Sequence, residues 1–513
     1  MKAKQTIFYM ISFFIVLQIT SGFSQTNLNY PIVDTGQEIF YDTTNEILEP
    51  IIGSAYYGQD AHYTGNVPNY QDNADGTVSD LVTGLMWSKT SDLDNDGDID
   101  YNDKLSYAEA MAGATTFNLA GYTDWRLPTI KEMYSLKMFF GVDPSGYTGT
   151  STAGLVPFID TNSFDFGYGD QSAGERIIDS QLASSNLYVS TTMGGNETMF
   201  GVNYADGRIK GYPTGPQPGQ TVDKQFYVMY VRGNAYGENN LQDNNDSTIT
   251  DNSSSLMWTK YDDGSGMNWE DALSYAEAAT IAGYSDWRLP NVKELQSIVD
   301  YTRSPATSNS AAIDSLFSCS QIIDEGGSTN YPFYWSGTTH ANISTTNSGA
   351  WAAYVCFGEA LGFMEQPPNS GNFTLMDVHG AGAQRSDPKV GDPNDYPYGN
   401  GPQGDVVRIF NYVRLVRDVD TSTTVYNELN LNDSKLNIYP SPAIDHITIS
   451  ISDNYSEIST IKIINLSGEL KYSENREFSQ NTTIDISNLE SGIYFVLLQI
   501  EGKEAYSRKL IVL

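Results

Sequence analysis

The sequence predicts an α+β fold made of two tandem copies of one domain, followed by a small β-sandwich. The first observation is a repeat, because residues 103–136 and 271–298 share the stretches LSYAEA and AGY(T/S)DWRLP. The second is the order of elements in each copy, in which strand signals precede two helices and further strands. The third is a change at Lys435, after which short alternating strand patterns continue to the C-terminus. The repeat is far longer than a solenoid unit and therefore indicates a duplicated domain.

Length and charge restrict the class of protein. The chain has 513 residues and a formal net charge of −35, so more than one domain is expected. The negative charge is spread along the chain, and this argues against nucleic acid or an anionic membrane as a partner, because binding a polyanion requires a positive surface. The charge is compatible with calcium-rich surroundings or with solubility alone.

The N-terminus has the features of a secretory signal peptide over residues 1–24. A basic start precedes an apolar stretch at residues 7–19, and Gly22 and Ser24 are the small residues before a cleavage site. No other stretch resembles a membrane span. The protein is therefore predicted to be exported, with residues 25–71 forming a lead segment of loops and short strands.

Two helices are predicted in each copy. In the second copy Asn268 is a natural N-cap for the first helix. The apolar face of that helix is expected to consist of Trp269, Ala272, Leu273 and Ala276 in the second copy, and of Leu105, Ala108 and Met111 in the first. The next helix opens with a capping box in both copies, formed by Thr129 with Glu132 and by Asn291 with Glu294.

The first copy is assigned to residues 72–235 and the second to residues 236–418. Both end in predicted strands, and between its last two strands the second copy inserts a Gly-, Pro- and Asp-rich loop over roughly residues 365–405. Loops of this length inside a domain are frequently functional. Four polar side chains there are candidate ligands of a metal or a sugar: Asp377, His379, Arg385 and Asp387. The alternative is a loop held together by pairs between Arg385 and carboxylates.

The clearest candidate metal site is the acidic stretch 92–103, which fits the calcium-loop pattern D-x-D-x-D-G with an acid at the twelfth position. The expected ligands are the carboxylates of Asp92, Asp94 and Asp96, the backbone carbonyl of Asp98, a water-bridged contact from Asp100, and the carboxylate of Asp103. Gly97 permits the sharp turn. The alternative is a solvated acidic loop. The second copy has DDGSG from Asp262 at this place and is not expected to bind calcium.

The chain has two cysteines, Cys319 and Cys356, both in the second copy. A disulfide is plausible in an exported protein, and two unpaired thiols are the alternative. No Ser-His-Asp spacing, Cys-His metal cluster or phosphate-binding loop stands out, so the sequence does not predict an enzyme.

A polar linker over residues 419–434 precedes the last segment, 435–513. This segment resembles the type A sorting domain of type IX secretion, through LNIYPSP at 436–442, INLSG at 464–468 and LESGIYFV at 489–496. The resemblance implies an immunoglobulin-like β-sandwich that the type IX machinery recognises. It also implies passage through the outer membrane, followed by release or attachment at the cell surface.

The duplicated block resembles the Lcl C-terminal domain family, a former domain of unknown function. The motifs that carry the resemblance are GLMW at 84–87, GYTDWRLPT at 121–129, their second-copy counterparts, and YWSGTT at 334–339. The first copy has YVSTT from Tyr188 where the family prefers a Trp-Ser pair. The resemblance implies two tandem C-type-lectin-like domains, similar also to formylglycine-generating enzymes but without their closely spaced cysteine pair. It suggests adhesion, although the net charge disfavours the sulfated glycans bound by the founding member.

The sequence therefore predicts a secreted or cell-surface binding or adhesion protein with a structural calcium site and a glycan or protein ligand. An enzyme acting on extracellular polysaccharide and a structural matrix protein are the two alternatives.

Overall fold

The computed structural model describes residues 28–216, 220–367, 370–419, 436–451, 458–465, 470–477, 481–500 and 505–513. The chain divides into two compact units, residues 1–419 and residues 420–513. The predicted signal peptide lies outside the described residues, and so does the predicted linker apart from Val419. Among the described residues, no helix is both long enough and apolar enough to cross a membrane.

The predicted α+β fold with C-type-lectin-like domains is wrong. The structure has 34% strand and 10% helix, and its strands form many small antiparallel sheets. The described helices of the first unit contain only four to ten residues. The helix Tyr107–Ala114, for example, is followed by Thr115 and Thr116, whose hydroxyl groups donate to the carbonyls of its last turn (2.7 and 3.2 Å), and such residues favour turns over helix.

The lead segment and the first copy contain eleven strands and two helices among the described residues. In chain order these are β1 (Phe40–Tyr41), β2 (Glu46–Ile47), β3 (Tyr70–Asp72), β4 (Thr77–Asp80), β5 (Met86–Ser88), β6 (Leu105–Ser106), α1 (Tyr107–Ala114), α2 (Ile130–Ser135), β7 (Gln181–Thr192), β8 (Asn196–Asn203), β9 (Arg208–Pro213), β10 (Gln225–Phe226) and β11 (Val231–Arg232). Two 3-10 helices, Asp60–His62 and Tyr101–Asp103, lie among them.

The second copy follows the same order with additional short strands. Its elements are β12 (Leu241–Asp243), β13 (Thr248–Asp251), β14 (Leu256–Thr259), α3 (Trp269–Ala278), α4 (Val292–Ser297), α5 (Pro305–Ser308), β15 (Ile322–Ile323), β16 (Thr329–Asn330), β17 (Phe333–Thr339), β18 (Trp351–Cys356), β19 (Leu361–Glu365), β20 (Phe373–Asp377), β21 (Gln384–Pro388) and β22 (Val416–Asp418). A 3-10 helix, Pro393–Asp395, lies between β21 and β22.

The two copies share one six-stranded antiparallel sheet, in the order β17-β18-β21-β9-β8-β7. The strands β9 and β21 meet at its centre, where Ile209 pairs with Gln384 and the Gly211 N–H donates to the His379 carbonyl at 2.9 Å. Equivalent strands of the two copies therefore occupy equivalent places on either side of this junction. The arrangement corresponds to the self-complementary interface of a two-fold dimer, here formed within one chain.

Side chains on the equivalent helices α2 and α4 add to this junction. From α4, the buried Lys293 Nζ donates to the Ser135 carbonyl at the end of α2 (2.9 Å) and to the Asp34 carbonyl (3.0 Å). After α2, the Lys137 Nζ donates to Gln384 Oε1 on β21 at 2.8 Å. One buried apolar cluster contains residues of both copies. The two copies thus share one buried cluster, and each copy also has a smaller buried cluster of its own.

The lead segment packs on the second copy although it precedes the first. The Gln37 side chain donates to the Phe139 carbonyl (3.2 Å) and to the Thr339 carbonyl (2.8 Å), and its Oε1 accepts from the Thr339 N–H (2.8 Å). The Asp42 carbonyl accepts from Lys389 Nζ at 2.9 Å. The lead segment therefore connects the two copies.

The helix caps show where the sequence repeat and the structural repeat differ. Both predicted capping boxes, at Thr129 and Asn291, are confirmed, and the predicted face of α3 is buried. The predicted first-copy face is wrong, because Ala110 and Ala114 are the buried residues of α1. The shared LSYAEA stretch lies at the start of α1, which Ser106 caps, but at the end of α3.

The C-terminal unit contains two antiparallel sheets around one buried apolar cluster. Its strands are β23 (Leu436–Tyr439), β24 (His446–Ile451), β25 (Ile458–Asn465), β26 (Leu470–Glu477), β27 (Asn481–Asp485), β28 (Gly492–Ile500) and β29 (Ala505–Val512). The sheets have the orders β23-β24-β27 and β26-β25-β28-β29. Residues such as Ile447, Ile461 and Val496 alternate inward along these strands and are fully buried.

Candidate functional site

The acidic loop after β5 brings three of the predicted calcium ligands together. Carboxylate oxygens of Asp92, Asp94 and Asp96 lie within 4.8 Å of one another. Each carboxylate also accepts a backbone N–H two or three residues further on, at 2.7–3.1 Å, and this coils the loop around the three side chains. Asn95 and Gly97 adopt positive φ angles of 62° and 100°, which the tight coil requires.

Two of the other predicted ligands, Asp100 and Asp103, have different roles in this structure. Asp103 is 1% exposed, and its carboxylate accepts N–H groups from Leu93 (2.7 Å), Asp94 (3.3 Å) and Asp100 (2.9 Å). The Asp100 side chain caps the 3-10 helix by accepting from the Asn102 N–H at 2.7 Å. The structure therefore groups Asp92, Asp94 and Asp96, while Asp103 holds the two ends of the loop together.

Electrostatic repulsion in the loop fits a cation site. The pKa of Asp94 is raised by desolvation and by the neighbouring charges of Asp96, Asp103 and Asp92. The pKa of Asp98 is raised first by the charge of Asp96 and then by desolvation. Carboxylate oxygens are the donors that calcium prefers, and a bound cation would relieve the repulsion.

The second copy satisfies its acids at this place with protein donors. Asp262 accepts from the Ser320 N–H (2.8 Å), the Ser320 hydroxyl (2.7 Å) and the Tyr334 hydroxyl (2.6 Å). Asp263 accepts the N–H groups of Gly266 and Val413, both at 2.8 Å. These donors take the place that a cation would have in the first copy.

The predicted loop over residues 365–405 is interrupted by β20, β21 and a 3-10 helix, and its four candidate residues lie in three different settings. Asp377 ends β20 and accepts the Tyr188 hydroxyl of β7 at 2.9 Å; burial raises its pKa to about 7. Asp387 accepts the Arg408 N–H (3.1 Å) and the Asn411 amide (3.0 Å), and burial raises its pKa to about 6.

His379 and Arg385 do meet, at Asp405. His379 Nε2 lies 2.8 Å from Asp405 Oδ1, and Arg385 Nη2 contacts Asp405 Oδ2. The pairing of Arg385 with a carboxylate is the arrangement that the sequence left as the alternative to a ligand site. Sequence reasoning missed Asp405, whose signal was its place at the end of the same Gly- and Pro-rich loop.

A cluster of first-copy charges faces Arg385 across the β9–β21 junction. Arg208 pairs with Asp143 at 2.7 Å, and Lys210 pairs with the fully buried Asp206 at 2.7 Å. Desolvation lowers the pKa of Lys210 to about 8 and that of Arg385 to about 10. In the sequence, this cluster is marked only by the Asp-Gly-Arg turn at 206–208. Neighbouring residues do not show that this turn lies against the second copy.

Several buried polar atoms of this cluster have no hydrogen-bond partner among the described residues. They are Nε and Nη1 of Arg385, Nε of Arg208 and Oδ1 of Asp206. The residue Arg385 is 9% exposed. Unsatisfied buried donors and acceptors cost free energy, so their presence in one place points to a ligand or to ordered water.

Two adjoining clefts, of about 800 Å³ and about 460 Å³, open onto this cluster. Both are lined by Arg208, Arg385 and Asp405. The remaining wall supplies further polar and aromatic side chains, among them Asn342, Asn347, Trp351, Asn400, Tyr147 and Gln403. The clefts therefore contain residues of both copies. We call this pair of clefts the junction cleft.

Cys319 and Cys356 are free thiols in the structure. The Cys356 thiol is buried and donates to the Gly358 carbonyl at 2.8 Å, and burial raises its pKa well above the ordinary value. Cys319 Sγ accepts from Arg414 Nη2 at 3.5 Å. Each thiol thus has its own local contact, as in the second of the two alternatives that the sequence left open.

Comparison with known protein families agrees with this division of the chain. The model of the Lcl C-terminal domain matches residues 76–232 and 247–375, together more than half of the chain. The model of the secretion system C-terminal sorting domain matches residues 437–513. No curated protein matches the chain. The sorting domain indicates type IX secretion to the cell surface or the exterior, which confirms the predicted localisation. The chain therefore belongs to the Lcl C-terminal domain family, with two tandem copies of that domain and a type IX sorting domain at its C-terminus.

Proposed function

We propose that this exported protein is a non-catalytic binding protein that takes a glycan into the junction cleft and carries a structural calcium ion in the loop 92–103. The observation that carries the proposal is Arg385. Its guanidinium group is buried beside the cleft with two nitrogens that lack partners among the described residues. Neither nitrogen is reached by solvent in this structure, so a ligand that accepts hydrogen bonds would satisfy them after the side chain rotates toward the cleft.

The composition of the cleft wall favours a sugar over an apolar ligand. Asn342, Asn400 and Asp405 offer both donors and acceptors, as vicinal hydroxyl groups require. Trp351 offers an aromatic surface at the wall, against which a sugar ring can pack. Because the cations of the cleft are paired with acids, a neutral or weakly acidic glycan fits better than a sulfated polyanion.

Calcium would be held by the grouped carboxylates of Asp92, Asp94 and Asp96, with the Asp98 carbonyl as a further oxygen. When bound, the ion would supply positive charge that offsets their repulsion. Asp103 would act indirectly, because its carboxylate already fixes the backbone at both ends of the loop. The loop leads directly into β6 and α1, so its role would be to stabilise the fold.

The environment of His379 supports binding rather than catalysis. The residue is 2% exposed, and its pKa is lowered well below the ordinary value, first by desolvation and then by the charge of Arg385. The ring is therefore neutral near pH 7, and its Nε2 is occupied by Asp405. It lacks the exposure that a general acid or base needs to exchange a proton with a substrate.

A glycan array probed with the full secreted chain tests the proposal. The variant Arg385→Lys keeps the charge and removes the planar set of donors, so binding of array-positive glycans should weaken at least about tenfold. Arg303→Lys is the matched control, because Arg303 lies outside the cleft and bonds Ser310. Equal binding by Arg385→Lys and the unaltered chain would refute the junction cleft as the site.

A further inference from the structure

A further groove, separate from the junction cleft, lies on the first copy. It is a groove of about 1200 Å³ between the α1–α2 region and residues 298–302 of the second copy. Its wall includes Met111, Thr115, Trp125 and Arg126. We call it the first-copy groove. The duplication makes it possible to ask what covers the same place in the second copy.

Hydrogen bonds establish which positions correspond. In the first copy Arg126 forms two bonds to Glu132, and in the second copy Arg288 forms two bonds to Glu294. Both pairs are separated by the same six positions, and both arginines follow the tryptophan of the DWRLP motif. Arg126 and Arg288 are therefore equivalent.

The start of the following helix supplies a second correspondence. The Ile130 N–H donates to Asn186 Oδ1 at 2.8 Å, and the Val292 N–H donates to Thr338 Oγ1 at 2.9 Å. Asn186 and Thr338 are thus equivalent, and Asn186 belongs to the wall of the first-copy groove. This also corrects the sequence comparison, since the Trp335-Ser336 pair corresponds to Ala183-Ser184 and not to residues near Tyr188.

In the second copy, the lead segment fills this place. Asp60 of its 3-10 helix accepts the Thr338 hydroxyl at 2.6 Å. Three residues later, the Tyr63 hydroxyl donates to Glu277 at 2.8 Å, and the Tyr63 ring lies 5.4 Å from the Arg288 guanidinium group. The lead segment thus contacts the second copy through one carboxyl group and one tyrosine on a single turn.

Exposure shows the difference between the two copies. The Arg288 side chain is 8% exposed, whereas that of Arg126 is 37% exposed. The cause is the length of the segment that precedes the first strand of each copy. The Asp34 carbonyl binds Lys293, and 35 residues separate Asp34 from β3. The Gly237 carbonyl binds the equivalent Lys131, but β12 begins at Leu241, so only the three residues 238–240 remain, too few to form a covering turn.

Charge also differs between the two places. Arg288 pairs with a second carboxylate, that of Asp418, at 3.1 Å. Arg417, the residue before Asp418, pairs with Asp286, and in the first copy Arg232 pairs with Asp124 in the same way. Arg232 is therefore equivalent to Arg417. The next residue, Gly233, occupies the position of Asp418 in the first copy. Among the described residues, Arg126 therefore pairs with one carboxylate where Arg288 pairs with two, so its guanidinium group can take a second carboxylate, although Glu238, Asp300 and Asp314 also line the groove.

We propose that the first-copy groove binds a polypeptide segment of a partner protein that presents an aspartate and a tyrosine three residues apart, as the lead segment does at Asp60 and Tyr63. The aspartate lies at the Asn186 amide and next to Arg126. The tyrosine ring packs on the Arg126 guanidinium group. This site is separate from the junction cleft and does not depend on the proposed glycan binding.

A labelled peptide with the sequence of residues 54–65, SAYYGQDAHYTG, is the probe, and fluorescence anisotropy with the full chain is the measurement. Saturable binding is expected. Peptides carrying Asp60→Asn or Tyr63→Ala should bind at least about tenfold more weakly, because each loses a charge-assisted or aromatic contact.

Two protein variants identify the groove. Met111→Glu places a negative charge in the wall at a side chain that is 41% exposed and should weaken peptide binding at least about tenfold. Val189→Glu is the matched control, because Val189 is 39% exposed on β7 and outside the groove. Both variants should retain the melting temperature of the unaltered chain.

Three results would overturn the proposal. The first is the absence of peptide binding. The second is equal peptide binding by Met111→Glu and the unaltered chain, which would place the peptide elsewhere, including the second copy. The third is loss of glycan binding in Met111→Glu, which would make the groove a sugar site. Failure of Arg385→Lys to alter glycan binding bears on the junction cleft alone.

Discussion

Replacing Asp60 with asparagine is expected to remove the part of the pH dependence of stability that this carboxyl group contributes. Asp60 is 4% exposed and accepts hydrogen bonds from Thr338 (2.6 Å) and Thr35 (2.8 Å). Burial raises its pKa from 3.8 to about 7. Between these values the unfolded chain is ionised at this residue while the folded chain is protonated. The folded state then binds more protons, so the free energy of unfolding falls as the pH rises from about 4 to about 7.

The size of the effect follows from the shift. A difference of about three pKa units corresponds to about 4 kcal/mol at most, fully lost above about pH 7. Asparagine stays neutral, and its Oδ1 accepts from the same two hydroxyl groups. Relative to the unaltered chain, Asp60→Asn should therefore gain stability between about pH 4 and about pH 8, by up to this amount.

Urea unfolding of the two proteins across this pH range is the assay, because other titrating groups cancel in the difference. Asp243→Asn is a control whose pH dependence has the opposite sign and lies below about pH 4, so its urea titration is extended to lower pH. The hydrogen bond from Lys260 lowers the pKa of Asp243, so the stability contributed by this pair is lost as the pH falls through the lowered pKa. If the difference in the free energy of unfolding between Asp60→Asn and the unaltered chain does not change with pH, Asp60 does not have a raised pKa in the folded chain.

Two further predictions concern the loop and the lead segment. Calcium in excess should raise the melting temperature of the full chain in a scanning fluorimetry experiment, by mass action on the folded state. Asp94→Asn should abolish this rise, and the control Asp395→Asn should keep it. A rise retained in Asp94→Asn would exclude the loop 92–103 as the calcium site. Gln37→Ala should lower the free energy of unfolding by about 3 kcal/mol, because it removes three buried hydrogen bonds that connect the two copies. The control Glu38→Ala, at an exposed side chain, should change the free energy of unfolding little. Equal stability of the two variants in urea would show that the lead segment does not connect the two copies.

Local features were predictable from the sequence where neighbouring residues determine them. The capping boxes at Thr129 and Asn291 need only a side chain and a backbone N–H three residues away. The grouping of Asp92, Asp94 and Asp96 likewise depends on turns within the loop. In these stretches the local chemistry leaves little choice of conformation.

The helix of the first copy shows how an identical stretch can mislead. LSYAEA has the same local preference in both copies, but a helix begins where its cap lies. Ser106 with Glu109 starts α1 inside this stretch, whereas Asn268 starts α3 six residues before its Ser274. The buried face therefore shifts from the predicted Ala108 to Ala110.

The shared sheet and the sites that it creates were beyond sequence reasoning. The strands β9 and β21 pair through residues such as Ile209 and Gln384, which are distant in the chain, and no alternation pattern specifies that partner. The same holds for the placing of Asp206 and Arg385 in one cluster. A fold class read from each copy separately therefore missed the sheet that joins them.

Scanning calorimetry of the full chain shows whether the two copies unfold as one cooperative unit. Trp87 and Trp258 are equivalent, fully buried residues of the shared cluster. Truncating either to alanine should cost about 3–5 kcal/mol. If the two copies are one cooperative unit, both variants shift the same single transition of residues 28–419. Two transitions, one responding only to Trp87→Ala and the other only to Trp258→Ala, would contradict it.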